Sequence, residues 1–130
     1  MSTKTRPEGG ALSLILDRWI SSVQNDVLQE ERITFDDSRL FPLVESRIRR
    51  VIGNLNELVH GFDFANLLTL YYRAYIDGDD DTKAKVVKWF RGEYSTKTEA
   101  KNDLGVSIII TDSNWYEYVK LFAVFLKQAG

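Results

Sequence analysis

Residues 44–61 read VESRIRRVIGNLNELVHG. Apolar side chains fall at Val44, Ile48, Val51, Ile52, Leu55, Leu58 and Val59. That spacing is the i, i+3, i+4, i+7 pattern of an amphipathic helix with one face on a core. At about 100° per residue, Ser46 and Gly53 sit near the middle of the opposite face. Arg49 and Arg50 flank them, and Arg47 lies at the edge. Small residues between arginines either seat a phosphate backbone or make an ordinary solvated face. Gly53 favours close approach of a ligand, because a mid-helix glycine costs about 1 kcal/mol relative to alanine.

Outward from this helix, the pattern stays helical. Leu12, Ile15, Leu16, Trp19, Ile20, Val23, Val27 and Leu28 repeat at helical period and predict a first helix over residues 11–31. Asp36, Asp37 and Ser38 follow as candidate caps, and Pro42 belongs in the first turn of the second helix. Gly61 reads as that helix's left-handed C-cap. Phe64, Leu67, Leu68, Tyr71, Ala74 and Tyr75 form the buried stripe of a third helix, which Gly78 stops. Asp79, Asp80 and Asp81 suit the positive N-terminal end of a fourth, over residues 82–90, with Val86, Val87 and Phe90 inward. Gly92 ends it.

Residues 93–105 lack apolar periodicity and predict a loop with one short helical turn at most. Residues 106–111 are nearly all β-branched but have no partner strand. They read as an extended connector packed on the helices, or as an edge that meets another chain. Asn114 and Glu117 have capping-box spacing and open a last helix carrying Trp115, Tyr118, Val119, Phe122, Phe125 and Leu126. The expected class is all-α, a compact single-domain bundle of about five helices joined by short connections. Residues 1–10 form a flexible tail, and 11–130 the helical domain.

Composition narrows the chemistry. The 130 residues hold no cysteine and one histidine, which excludes thiol nucleophiles, disulfide scaffolds and Cys-based zinc sites. His60 sits at a predicted helix C-terminus and reads as structural. An EF-hand loop counted from Asp77 needs glycine and glutamate at its sixth and twelfth positions, where Thr82 and Lys88 stand. No Gly-rich phosphate loop is present. No enzyme, metal or cofactor is therefore expected. No apolar run approaches the ~20 residues that span a bilayer, so a cytoplasmic protein without membrane contact is expected.

The net charge is −2, so nucleic-acid binding requires a local patch. Lys83, Lys85, Lys88 and Arg91 fall between Thr82 and Gly92 with no acid among them. Lys85, Lys88 and Arg91 share one helix face. If the second and fourth helices are neighbours, they join Arg47, Arg49 and Arg50 in one patch, and Lys120 and Lys127 add to it from the last helix. Several neutralised phosphates give salt-sensitive affinity without sequence readout. Trp89, Tyr94, Tyr116 and Tyr118 are candidates for base stacking. Tyr72 reads as a surface aromatic that marks a contact.

Three blocks together resemble a known family. Ser46-Arg47-Ile48-Arg49-Arg50-Val51-Ile52, followed by Asn56-Glu57-Leu58, is similar to the Ser-x-Ile-Arg segment of the small helical subunit of type III-A CRISPR interference (Csm) complexes. Tyr75-Ile76-Asp77-Gly78, followed by Lys88, resembles that family's Tyr-x-Ala-Gly-Arg turn and the helix after it. Tyr118-Val119-Lys120-Leu121-Phe122-Ala123-Val124 resembles its final helix. Asp79 stands where the family has arginine, and Ala123 where it usually has glutamate. The resemblance implies a non-catalytic subunit that contacts guide or target RNA, single-stranded or guide-paired, within a ribonucleoprotein of several subunits. Arg49 and Lys120 match basic motif positions. Arg47, Arg50, Lys85, Lys88 and Arg91 come from the patch argument alone. The alternative is a helical protein–protein or assembly module, for example phage or plasmid encoded, with no nucleic-acid binding and with homo-oligomers possible.

Overall fold

The computed structural model describes residues 9–53, 61–111 and 113, with side chains in 10–50, 64–111 and 113. Helix α1 (Gly9–Glu31) buries Leu12, Leu16, Trp19, Ile20, Val23 and Val27 along one stripe. Its 23 residues make a rod of about 35 Å. Arg32 ends it in the left-handed conformation at φ 55°, and the Ile33 amide bonds back to the Leu28 carbonyl at 3.2 Å. That is a Schellman closure with an arginine in the place that glycine prefers. The following turn is braced by Asp37. Its carboxylate accepts from the Arg39 amide at 2.9 Å, and its carbonyl from the Leu40 amide at 3.1 Å.

Helix α2 (Leu40–Gly53) carries Pro42 in its first turn, where an amide has no helical partner to lose. Leu40, Val44 and Ile48 are buried. Residues 54–60, including His60, lie outside the described residues. Gly61, expected as a left-handed cap, is instead the first residue of α3 (Gly61–Asp77). Gly78 then reverses the chain at φ 72°, and the Asp79 amide closes on the Ala74 carbonyl at 2.8 Å. Asp79 caps α4 (Asp80–Phe90), its carboxylate accepting from the Thr82 amide at 3.0 Å and the Thr82 hydroxyl at 2.6 Å.

Helix α5 (Lys97–Leu104) replaces the expected loop. Thr96 caps it, accepting from the Glu99 amide at 3.2 Å, and left-handed Gly105 closes it. It buries only Ala100, so it has almost no apolar period to read. Val106, Ile109 and Ile110 then pack into the core without regular secondary structure, and no strand forms among the described residues. This is the connector reading of residues 106–111. The last predicted helix, with Tyr116, Tyr118 and Lys120, lies outside the described residues.

The architecture is an all-α bundle in which α1 and α3 each pack on both α2 and α4. Contacts pair Phe41 with Tyr72 and Arg49 with Asn66, so α2 runs antiparallel to α3. Phe64 meets Trp89 and Phe90, which makes α4 antiparallel to α3 as well. Full burial of a Leu, Ile, Val or Phe side chain stabilises by roughly 1.5–3 kcal/mol. A core that includes Leu16, Ile20, Ile48, Phe64, Leu67 and Leu68 therefore outweighs the ~1 kcal/mol cost of helical Gly53.

Three aromatic expectations are corrected here. Tyr72 is 1% exposed, stacks on Phe41 and accepts a hydrogen bond from Gln24 Nε2 at 3.1 Å. Trp89 is also 1% exposed and donates from Nε1 to the Ile108 carbonyl at 2.8 Å. Tyr94 is buried, and its hydroxyl donates to Asp103 at 2.9 Å. Trp89 and Tyr94 are thus part of the packing rather than base-stacking platforms.

Candidate functional site

One face of α4 presents Asp80, Lys83, Ala84, Val87, Lys88 and Arg91, at steps of three and four residues. Gly10 and Ser13 of α1 face it. The small residues Gly10 and Ser13 on α1 and Ala84 on α4 leave the space between the two helices unfilled. The result is an open cleft of about 410 Å³ lined by Ala84 and Val87 together with the cations Lys83, Lys88 and Arg91 and the acids Asp80 and Glu93.

Behind the cleft, three helices meet in a polar cluster. The Tyr71 hydroxyl of α3 donates to Asp17 Oδ1 of α1 at 2.6 Å, and the Ser13 hydroxyl lies 3.0 Å from the Tyr71 hydroxyl oxygen. Lys83 of α4 reaches both oxygens of Asp17, at 3.1 and 3.2 Å. Its ammonium also lies over the rings of Tyr71 and Tyr75, at 5.5 and 5.6 Å. Burial, then the hydrogen bond to the anionic Asp17, hold the Tyr71 hydroxyl well above its ordinary pKa. The cluster is a satisfied tie between α1, α3 and α4. Its Tyr71 is a neutral donor, not a base or nucleophile. No group of residues suited to holding a metal ion occurs among the described residues.

The expected RNA-binding residues are distributed differently from the single patch. Because α1 and α3 separate α2 from α4, the condition that these two helices be neighbours is not met. Arg47 is ion-paired with Glu30 of α1. Arg49 is exposed and donates to Asn66 at 3.1 Å, while Arg50 beside it is exposed. On α4, Lys85 pairs with Asp81 at 3.3 Å and Arg91 with Glu93 at 2.6 Å. Lys88 lies over the Tyr94 ring at 4.4 Å. The cleft gathers Lys88 and Arg91 with Lys83, but not Lys85. Lys120 and the surroundings of Gly53 lie outside what is described.

Sequence reasoning missed the cleft and the cluster. Asp17 was visible only as a charge interrupting an apolar run, and Ser13 as a polar residue within it. Their four-residue spacing places both on one helix turn. A core-stripe tyrosine such as Tyr71 also needs a partner for its hydroxyl. Those two signals together point to a polar bridge, although neither identifies Lys83.

A family model described as "BREX system ATP-binding protein BrxC/D" matches residues 1–130. No curated protein and no solved structure matches the chain. The match overturns the resemblance to the type III-A CRISPR small subunit, and with it the guide- and target-RNA function. The family belongs to a different, antiphage defence system. The physical reason for the error is plain. An aromatic, a basic residue and apolar positions at helical spacing recur on any amphipathic helix that packs in a bundle. No helix among the described residues is long and apolar enough to cross a membrane.

Proposed function

The chain belongs to the BREX system ATP-binding protein BrxC/D family, and from that premise we propose that it is a non-catalytic helical docking module of the defence system. It meets protein partners through helix and turn surfaces and does not itself turn over nucleotide. The observation that carries this reading is where the glycines stand. A phosphate loop needs G-x-x-x-x-G-K-[ST], whose amides and lysine cradle the phosphates ahead of a helix N-terminus. No glycine in the 130 residues is followed by lysine. Gly78, Gly92 and Gly105, at φ 71–73°, turn the chain after helices instead. The N-terminus of α4 carries Asp79, Asp80 and Asp81, whose charges repel phosphate from the end of the dipole that otherwise attracts it. Carboxylates on Arg47, Lys85 and Arg91 further reduce what a polyanion gains.

Calorimetric titration of the chain with Mg-ATP, together with a phosphate-release assay, tests the proposal. The expected result is no saturable binding below millimolar ATP and no release above buffer. A micromolar dissociation constant, or steady turnover by the chain alone, overturns it.

A further inference from the structure

The outer side of the α2–α3 seam carries two exposed arginines that are already held in place. At one end, the Arg49 guanidinium donates to Asn66 Oδ1 at 3.1 Å. At the other, the Arg73 guanidinium lies over the Phe41 ring at 4.8 Å, and that ring stacks on Tyr72. Phe41, Glu45 and Arg49 recur at steps of four on α2, and Asn66 and Arg73 stand two turns apart on α3. Both spacings return to the same helix face. The two arginines therefore sit on one side of the antiparallel pair, about 10–12 Å apart along it. Arg50 is exposed beside Arg49.

These guanidiniums are oriented but not neutralised. Arg39, Arg47, Lys83, Lys85 and Arg91 each hold a carboxylate. Among the described residues no carboxylate pairs with Arg49, Arg50 or Arg73. The bond to Asn66 and the ring under Arg73 leave most guanidinium N–H groups free to fork onto a carboxylate. A side chain already fixed in position also loses less entropy when it binds. Two acids flank the arginines and decide which anion fits. Glu45 lies between them, half-buried, and Asp77 is exposed one turn past Arg73. A nucleic acid presents its charges as an unbroken row, which both acids repel. Separate carboxylates, spaced to match the arginines, avoid them.

We infer that this seam docks an acidic segment of a partner protein, with one carboxylate on Arg49 and Arg50 and another on Arg73. Carboxylates about 10 Å apart are about three residues apart in an extended chain and about seven apart in a helix. The inference rests on the docking-module reading and deepens it by naming the chemistry of the partner.

An NMR titration of the full chain, following the arginine Nε–Hε signals and the Asn66 side-chain amide, tests it. The probes are a repeating Glu-Gly-Gly peptide, the same repeat with Gln for Glu, and a single-stranded oligothymidylate. The glutamate peptide is expected to move the Arg49, Arg73 and Asn66 signals to saturation below millimolar concentration. The glutamine peptide is expected to leave them in place. The double variant Arg49→Gln/Arg73→Gln, read at Asn66, is expected to bind the glutamate peptide about tenfold more weakly. Arg49→Lys keeps the charge but loses the fork, and is expected to fall between the double variant and the wild type. Lys85→Gln removes a charge from α4 that Asp81 already pairs, and is expected to change affinity less than Arg49→Gln does. Circular dichroism matching the wild type establishes that these surface variants fold. The inference is overturned by no movement with the glutamate peptide, by equal movement with both peptides, or by unchanged affinity in the double variant. Tighter binding of the oligonucleotide than of the glutamate peptide overturns it as well. The ATP titration above reads the docking-module proposal on its own, so the two fail on different measurements.

Discussion

Replacing Tyr71 with phenylalanine isolates the tie between α1, α3 and α4. The ring stays and fills the same space, for Tyr71 is 0% exposed. What goes is one hydroxyl that donates to Asp17 Oδ1 at 2.6 Å and sits 3.0 Å from the Ser13 hydroxyl. A hydrogen bond to a charged acceptor contributes about 1.5–3 kcal/mol. Asp17 keeps both contacts to Lys83 and its side chain is 32% exposed, so its loss is partly made up by lysine and water. The lower end, about 1.5 kcal/mol, is therefore expected. Asp17→Ala is the harsher change, since it leaves the largely buried Lys83 ammonium without its carboxylate and the Tyr71 hydroxyl with only the Ser13 carbonyl, at 3.1 Å, to donate to. About 2–3 kcal/mol is expected there. Urea denaturation followed by the fluorescence of buried Trp19 and Trp89 measures both, and the double variant gives the coupling. A Tyr71→Phe protein within a few tenths of a kcal/mol of wild type, or additive single losses, would refute the claim that this bond ties the helices together.

Arg32→Gly relieves a left-handed residue at φ 55° and is expected to stabilise by about 0.5–1 kcal/mol, read as a higher urea midpoint at unchanged slope. The reverse change, Gly78→Ala, places a Cβ at φ 72° in open space, so a loss of about 1 kcal/mol is expected from backbone strain alone. The Arg39 side chain and amide hold the Asp37 carboxyl down to about 2. This contribution is present above the ordinary carboxylate range and is lost as pH falls through the folded value. A carboxyl NMR titration of Asp37 is expected to move back toward the ordinary range in Arg39→Ala. Burial, then hydrogen bonding to Asp17 and Asp103, raise the Tyr71 and Tyr94 hydroxyls. The unfolded chain then releases these protons first, so their stabilisation is complete below about pH 10 and declines above it. Alkaline difference absorbance should show these tyrosines ionising last.

Local chemistry accounts for what was readable in the chain. The stripe Leu12, Leu16, Trp19, Ile20, Val23 and Val27 specifies α1, and Gly78 with Asp79 specifies the α3–α4 corner, because periodicity and capping act within a few residues. The all-α class follows from the same signals. Helix α5 was also locally encoded, by Thr96 and Glu99, but its cap was overlooked because it buries almost nothing. Tyr72 lies off the main stripe of α3, yet α3 is covered by both α2 and α4, which buries a wider arc than one stripe allows. Trp89 and Tyr94 are buried by α5 and the 106–110 connector, segments whose position no local rule supplies.

The same division holds for the charges. Sequence alone determined that cations cluster on the faces of α2 and α4 and that no phosphate loop exists, since both are properties of spacing. Only the tertiary structure decided which cations remain available. Glu30 reaches Arg47 across 17 residues and Asp17 reaches Lys83 across 66. It also decided that α2 and α4 lie across the bundle from each other, and that Gly10 and Ser13 open a cleft against Lys88. Side-chain pairing is decided by which helices become neighbours, and that choice is made by the summed burial of the whole core rather than by any one stretch of chain.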